Sequence, residues 1–211
     1  MPVVLRVVSY KIHKGVRGLG PARRLEIHNV RQAFASLAAD LVCLQEVRKT
    51  NRREKQFFAH WPSQGQTDFF APQGYAAVYR SNAITCYGAH GNALLSRWPV
   101  LAHGHADRSD HRFEQRGLFH TEVQVRGQRV HVLVLHLGLV RSVLGSVGLN
   151  APNHPYLPTF PSALPLLSLD HISTRGPQAL CQHVPHGRQW ARMSEHLPLV
   201  AELVLPREPT P

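Results

Sequence analysis

Cysteine, acidic residues and long apolar runs are all scarce in this chain. Only three cysteines occur in 211 residues, Cys43, Cys86 and Cys181, with no paired spacing and no CxxC. That excludes a disulfide framework or a cysteine-rich zinc module, and predicts reduced, mostly buried thiols in a cytoplasmic protein. No stretch approaches the ~18 consecutive apolar residues of a membrane span. Residues 3–8 are apolar, but they are too few for a signal sequence and Arg6 interrupts them. Thirteen acidic residues face 24 basic ones, for a formal net charge of +11 and a pI near 10.4. Such a balance favours polyanionic partners, and the arginine-rich excess suits bidentate contacts to phosphate. No internal repeat is visible, which argues against a solenoid.

What is present suits one domain. The apolar share of 43% is enough for a core. Residues 3–9 read as a strand. Residues 23–39 read as a helix, with Ile27, Val30, Phe34 and Leu37 on one face. Residues 41–46 are again a strand, so the chain opens as β-α-β. Residues 48–66 are charged and then loop-like. Short strands are predicted over 75–80, 91–96 and 100–105, and a hairpin over 117–125 and 129–136 around Arg126-Gly127-Gln128. Residues 166–173 and 199–205 read as the last two strands. Many strands with few helices predict two packed sheets flanked by helices. Residues 206–211 read as a disordered tail.

Three predicted strands end in polar residues. The apolar run Leu41-Val42-Cys43-Leu44 leads to Glu46, which suits a hard-oxygen ligand for Mg²⁺. Val132-Leu133-Val134-Leu135 leads to His136, placed to donate to a phosphate oxygen. His196 precedes the last strand and is a candidate base for water, with Asp170 as the carboxylate that orients it. An acid within the apolar run around Asp170 is better explained by a partner than by exposure. Arg112, Arg116 and Arg97 are candidate phosphate contacts, although any one arginine is more often a solvated charge. Such a set could hydrolyse a phosphate ester, where a metal neutralises charge and an activated water attacks. His103, His105, Asp107, Asp110 and His111 lack a regular metal-binding spacing and read as a polar stretch. Gly15, Gly18 and Gly20 read as a plain βα turn.

With Ser9-Tyr10-Lys11-Ile12-His13-Lys14-Gly15 at the front, Leu135-His136-Leu137-Gly138 in the middle and Ser194-Glu195-His196 near the end, residues 4–205 resemble the endonuclease/exonuclease/phosphatase superfamily. The similarity is greatest to short stand-alone bacterial members, whose first strand runs into Tyr-Asn-Ile-His-Lys-Gly. The resemblance implies a four-layer α/β sandwich of two mixed β-sheets flanked by helices, in a single domain over residues 1–205. It implies Glu46 and Glu195 as ligands of Mg²⁺, His136, Asp170 and His196 as catalytic residues, and Asn92, Arg112 and Arg116 as phosphate-binding. The implied substrate bears a phosphate: nucleic acid, a phospholipid headgroup or a phosphorylated small molecule.

Three departures bear on catalysis. Lys11 stands where the family has Asn, and a protonated Lys cannot ligate a metal. Glu195 replaces the family's Asp. The family's Gly-Asp-x-Asn motif is absent, because too few residues separate His136 from Thr159-Phe160-Pro161-Ser162 to hold the usual helix and strand. The chain therefore resembles an internally deleted member that lacks one central strand, with residues 139–158 abnormal and open to association through exposed edges. Two functions compete: a metal-dependent phosphoesterase with impaired or lost catalysis, and a non-catalytic polyanion-binding descendant. A third reading, a chain without function, is not excluded by sequence. A Lys11–Glu46 ion pair is expected under the resemblance.

Overall fold

The computed structural model describes residues 2–18, 20–107, 117–135 and 156–206. Its centre is a mixed six-stranded sheet. In chain order the strands are β1 (Val4–Lys11), the short pair β2 (Val16–Arg17) and β3 (Arg24–Leu25), β4 (Leu41–Asn51), β5 (Ala76–Thr85), β6 (Gly88–Ser96), β7 (Val100–Asp107), β8 (Gly117–Val125), β9 (Gln128–Leu135), β10 (Gln178–His183) and β11 (Leu199–Val204). The six-stranded order is β10-β11-β1-β4-β6-β5, while β7-β8-β9 form a separate three-stranded sheet. Strands β1 and β4 are parallel neighbours, joined by helix α1 (Ile27–Leu37). The opening β-α-β unit is thus present.

Period-two alternation explains how the layers stack. Val8, Tyr10, Val42, Leu44, Ala93 and Leu95 face the helices, where they meet Val30, Phe34 and Leu37 of α1. Phe69 and Phe70 of α3 (Gln66–Phe70) and Met193 of α4 (Arg188–Met193) complete that layer. The alternate residues Val7, Leu41, Cys43 and Leu94 face Phe119, Val123, Val125 and Val134 of the second sheet. The hairpin between β8 and β9 turns through Arg126 at φ 47° and Gly127 at φ 90°, the paired left-handed geometry of a tight hairpin.

The two sheets are unequal. Among the described residues β9 is the last strand of its sheet, and most of its residues are half-buried or exposed. No described helix covers the outer face of that sheet. The expected abnormal segment, residues 139–158, lies outside the described residues except for its last three, as do the tail residues 207–211.

Several expectations need correction. The charged part of residues 48–66 is regular structure: β4 runs on to Asn51, and helix α2 (Arg52–Phe57) follows, capped by the Asn51 side chain accepting from the Glu54 N–H, before the loop expected next. Residues 166–173 form no strand, only an isolated bridge between Phe160 and Leu167. Leu166, Leu167 and Leu169 are exposed there, so that apolar run faces no core. The sequence pattern instead missed β10. Cys43 alone is a buried thiol, since Cys86 and Cys181 are exposed.

Two outcomes follow. Burial pushes the Cys43 thiol up to about 12, so a thiol reagent near pH 8 should label Cys86 and Cys181 in the native protein and Cys43 only after unfolding. Ala38, at the end of α1, has φ 46°, a conformation unfavourable by about 1–2 kcal/mol for a residue with a Cβ. Ala38→Gly should raise the urea midpoint by an amount equivalent to about 1 kcal/mol, and a lowered midpoint would contradict this helix end.

Candidate active site

Strand β4 does not run straight through Glu46. Its register against β6 shifts between Leu44, paired with Ala93, and Val47, paired with Gly91. Two residues, Gln45 and Glu46, therefore oppose the single Asn92, which is a β-bulge. Glu46 adopts φ 57°, in the left-handed region. A non-glycine residue held there stores roughly 1–3 kcal/mol of strain and often serves a site. Here the bulge re-aims the side chain at the carboxyl end of the parallel β1–β4 pair.

Lys11 ends β1 beside it, and its Nζ lies 3.2 Å from Glu46 Oε1. His13 follows in a tight turn at φ 44°. Its Nδ1 lies 3.6 Å from Glu46 Oε2 and 3.6 Å from Glu195 Oε2. The two carboxylates thus converge on the same imidazole. Arg48 lies nearby; burial lowers its pKa, while Glu54 and Glu46 oppose that effect. His13 carried no role in the sequence reading, because a single His within a turn gives no signal until the fold places it between two acids.

A second group is hydrogen-bonded through Asp170. Its Oδ2 accepts from Thr159 Oγ1 at 2.5 Å and lies 2.7 Å from His196 Nδ1. Both members of the dyad are nearly closed off, with side chains 8% and 7% exposed. The contact with Asp170 places the neutral imidazole's proton on Nδ1 and leaves the Nε2 lone pair as a base. Phe160 packs over the ring at 4.9 Å. The Leu197 N–H donates to Thr159 O, and the Ser162 N–H donates to Glu195 O, so the loop at 159–162 is laced to the chain entering β11. Ser194 Oγ donates to Lys11 O at 2.6 Å, which joins that chain to the end of β1. Glu195 and His196 are adjacent, so the acid cluster and the dyad share one short segment. Asp170 gains its partners from a loop rather than from the expected strand.

Asn92 sits at the bulge but is completely buried. Its amide Nδ2 donates to Gly117 O and to Val134 O, each at 3.2 Å, and ties β6 to both ends of the second sheet's hairpin. The donors expected to reach a phosphate are therefore engaged on backbone. Arg97 pairs with Asp40. His136, Arg112 and Arg116 lie outside the described residues. A cleft lined by Lys14, Arg48, Arg53 and His90 opens next to the residues following His13 and Glu46.

The sequence profile of the Endonuclease/Exonuclease/phosphatase family matches residues 16–195. The chain belongs to this family. It is 29% identical to the uncharacterized protein YbhP of Escherichia coli K12 over 245 aligned positions, covering 95% of this chain and 96% of the relative. Solved structures agree in fold. An endonuclease/exonuclease/phosphatase from Beutenbergia cavernae gives a TM-score of 0.74 at 17% identity, over 96% of this chain and 72% of that one. A family protein from Leptotrichia buccalis gives 0.68 at 13% identity, over 94% and 99%. A humanized Danio rerio TDP2 gives 0.61 at 12%, over 95% and 98%. The α/β sandwich of this family is thus the fold of the chain, and its hydrolase ancestry follows. Among the described residues no helix is long and apolar enough to cross a membrane.

The Asn92 ties make a direct expectation. Asn92→Ala removes two buried donors and leaves two carbonyls to find new partners, which should destabilise the protein by about 1–3 kcal/mol. Urea denaturation would measure it, and an unchanged midpoint would show that the sheets do not depend on this amide.

Proposed function

We propose that this protein carries the site of a metal-dependent phosphoesterase-type hydrolase in which catalysis is impaired, because Lys11 supplies the positive charge at the position a divalent ion would take. The observation that carries this reading is the 3.2 Å contact between Lys11 Nζ and Glu46 Oε1. Glu46 and Glu195 are hard-oxygen donors of the kind Mg²⁺ selects. The full arrangement does not fit that ion, because an ion about 2.1 Å from Oε1 would lie against an ammonium and an imidazole. The ammonium and the ion are like charges so close, at a site where Lys11 is only 23% exposed, that they oppose one another.

The remaining groups keep a hydrolase's logic. His196 has Nε2 available to accept a proton from water, and Asp170, held by Thr159, fixes the imidazole's tautomer and direction. The site would take a phosphate-bearing substrate: nucleic acid, a phospholipid headgroup or a phosphorylated small molecule. Support comes from the +11 net charge and from the cleft lined by Lys14, Arg48 and Arg53, with Glu54 among them. Where the family's Gly-Asp-x-Asn motif should position water and phosphate, the chain is short. The alignment with YbhP runs over 245 positions, more than 95% of 211 residues can fill, so that relative carries positions this chain lacks. Loss of such positioning groups removes several kcal/mol of transition-state stabilisation.

A second reading, a non-catalytic polyanion binder, is favoured by the same charge and by Lys11 itself. The assay that separates them is hydrolysis of bis(p-nitrophenyl) phosphate with and without Mg²⁺. The expected result is little Mg²⁺-dependent turnover by the unmodified chain, with residual turnover sensitive to His196→Ala. Lys11→Asn should bind Mg²⁺ at least ~10-fold more tightly by calorimetry, since it replaces a repelling cation by a neutral oxygen donor. Robust Mg²⁺-dependent turnover abolished by Glu46→Ala would overturn the proposal, and turnover unaffected by His196→Ala would favour the binder.

A further inference from the structure

The outer face of the second sheet carries a group of side chains that the site above does not use. Strands β8 and β9 are antiparallel, with Glu122 directly opposite His131. His120 lies two residues before Glu122 on β8, so the pleat sends His120, Glu122 and His131 to the same face. His120 Nε2 lies 3.0 Å from His131 Nδ1, and the rings stack at 5.2 Å. Glu122 Oε1 lies 4.0 Å from His131 Nδ1. The other oxygen, Oε2, lies 3.5 Å from Arg129. Among the described residues this is the group whose ligand atoms all fall within 4.8 Å of one another.

We propose that His120, Glu122 and His131 form a binding site for a divalent transition-metal ion of the zinc class, separate from the Lys11–Glu46 cluster. Donors bound tetrahedrally at 2.0–2.2 Å stand roughly 3.3 Å apart. The observed separations of 3.0 and 4.0 Å straddle that value, so small side-chain rotations complete the geometry. Two imidazoles and one carboxylate select zinc-like ions over Mg²⁺ or Ca²⁺. Arg129 engages the oxygen that faces away from His131, leaving Oε1 to bind, an arrangement typical of ligating carboxylates that are themselves hydrogen-bonded.

Space is available for the ion and its remaining ligand. On β7 the residues opposite His120 and Glu122 are Gly104 and Ala102, and a Cβ added at Gly104 would meet nothing within 4 Å. A fourth position would therefore open to water. The consequence is mechanical: the ion clamps β8 to β9, the strand that ends the described part of its sheet. Without an ion, one imidazole donates to the other across 3.0 Å.

The test uses the purified full chain after EDTA treatment, titrated with Zn²⁺ in competition with a chromophoric chelator. One equivalent should bind and raise the melting temperature in a saturable way. His120→Ala, Glu122→Gln and His131→Ala should each weaken that binding at least ~10-fold, whereas Glu46→Gln should leave it unchanged. Imidazole ¹H–¹⁵N spectra of the unmodified protein should show Zn²⁺ perturbing His120 Nε2 and His131 Nδ1, which needs no variant to fold. Binding unchanged in the His120→Ala/His131→Ala double variant, binding lost with Glu46→Gln, or unperturbed His120 and His131 resonances would each overturn the proposal. Failure in the His120 and His131 arms leaves the proposed function untouched, whereas binding lost with Glu46→Gln would place a divalent ion at Glu46 and count against that function as well.

Discussion

A carboxylate held by a left-handed bulge within a buried strand needs a cation, and the choice of that cation sets the chemistry of the whole site. Glu46 cannot relax away, since β4 is flanked on both sides, by β1 and β6, within the six-stranded sheet. Its charge is met by Lys11 from the adjacent strand and by His13 from the turn that follows. The Lys11 ammonium is always present at the site, whereas a metal ion must bind from solution against its repulsion. The proposed loss of metal-dependent turnover therefore follows from one residue on β1, and the geometry of the remaining groups survives it.

Those remaining groups are held by short segments laced together. Thr159, Asp170 and His196 come from loops brought into line by backbone bonds between residues 159–162 and 194–197. Ser194 then ties the same segment to Lys11. On the proposed reading, a base with its orienting carboxylate remains assembled beside a site whose electrostatics have changed.

Much of this was legible in the sequence because it rests on period and order. The alternation of Val8, Tyr10, Val42 and Leu44 against Val7, Leu41 and Cys43 marks strands covered on both faces, and the spacing of Ile27, Val30, Phe34 and Leu37 marks the helix between them. Glu46 stood out at the end of an apolar run, Asp170 inside one and His196 just before the last strand, while Glu195 came with the family resemblance. What escaped depends on tertiary context. The β-bulge has no signature in Gln45-Glu46, and Asn92, two residues before Leu94 on β6, becomes a buried tie only because that face meets the second sheet. Leu166, Leu167 and Leu169, within the strand expected over 166–173, face solvent instead. Strand β10 was invisible because most of its residues are exposed or half-buried, leaving no apolar stripe.

The central claim concerns what sits against Glu46, and anomalous diffraction reads it directly. Crystals of the unmodified protein grown in millimolar Mn²⁺ should show no anomalous peak at the Glu46 carboxylate, with Lys11 Nζ still in contact with Oε1. A manganese ion bonded to Glu46 at about 2.1 Å, with Lys11 displaced, would contradict the account.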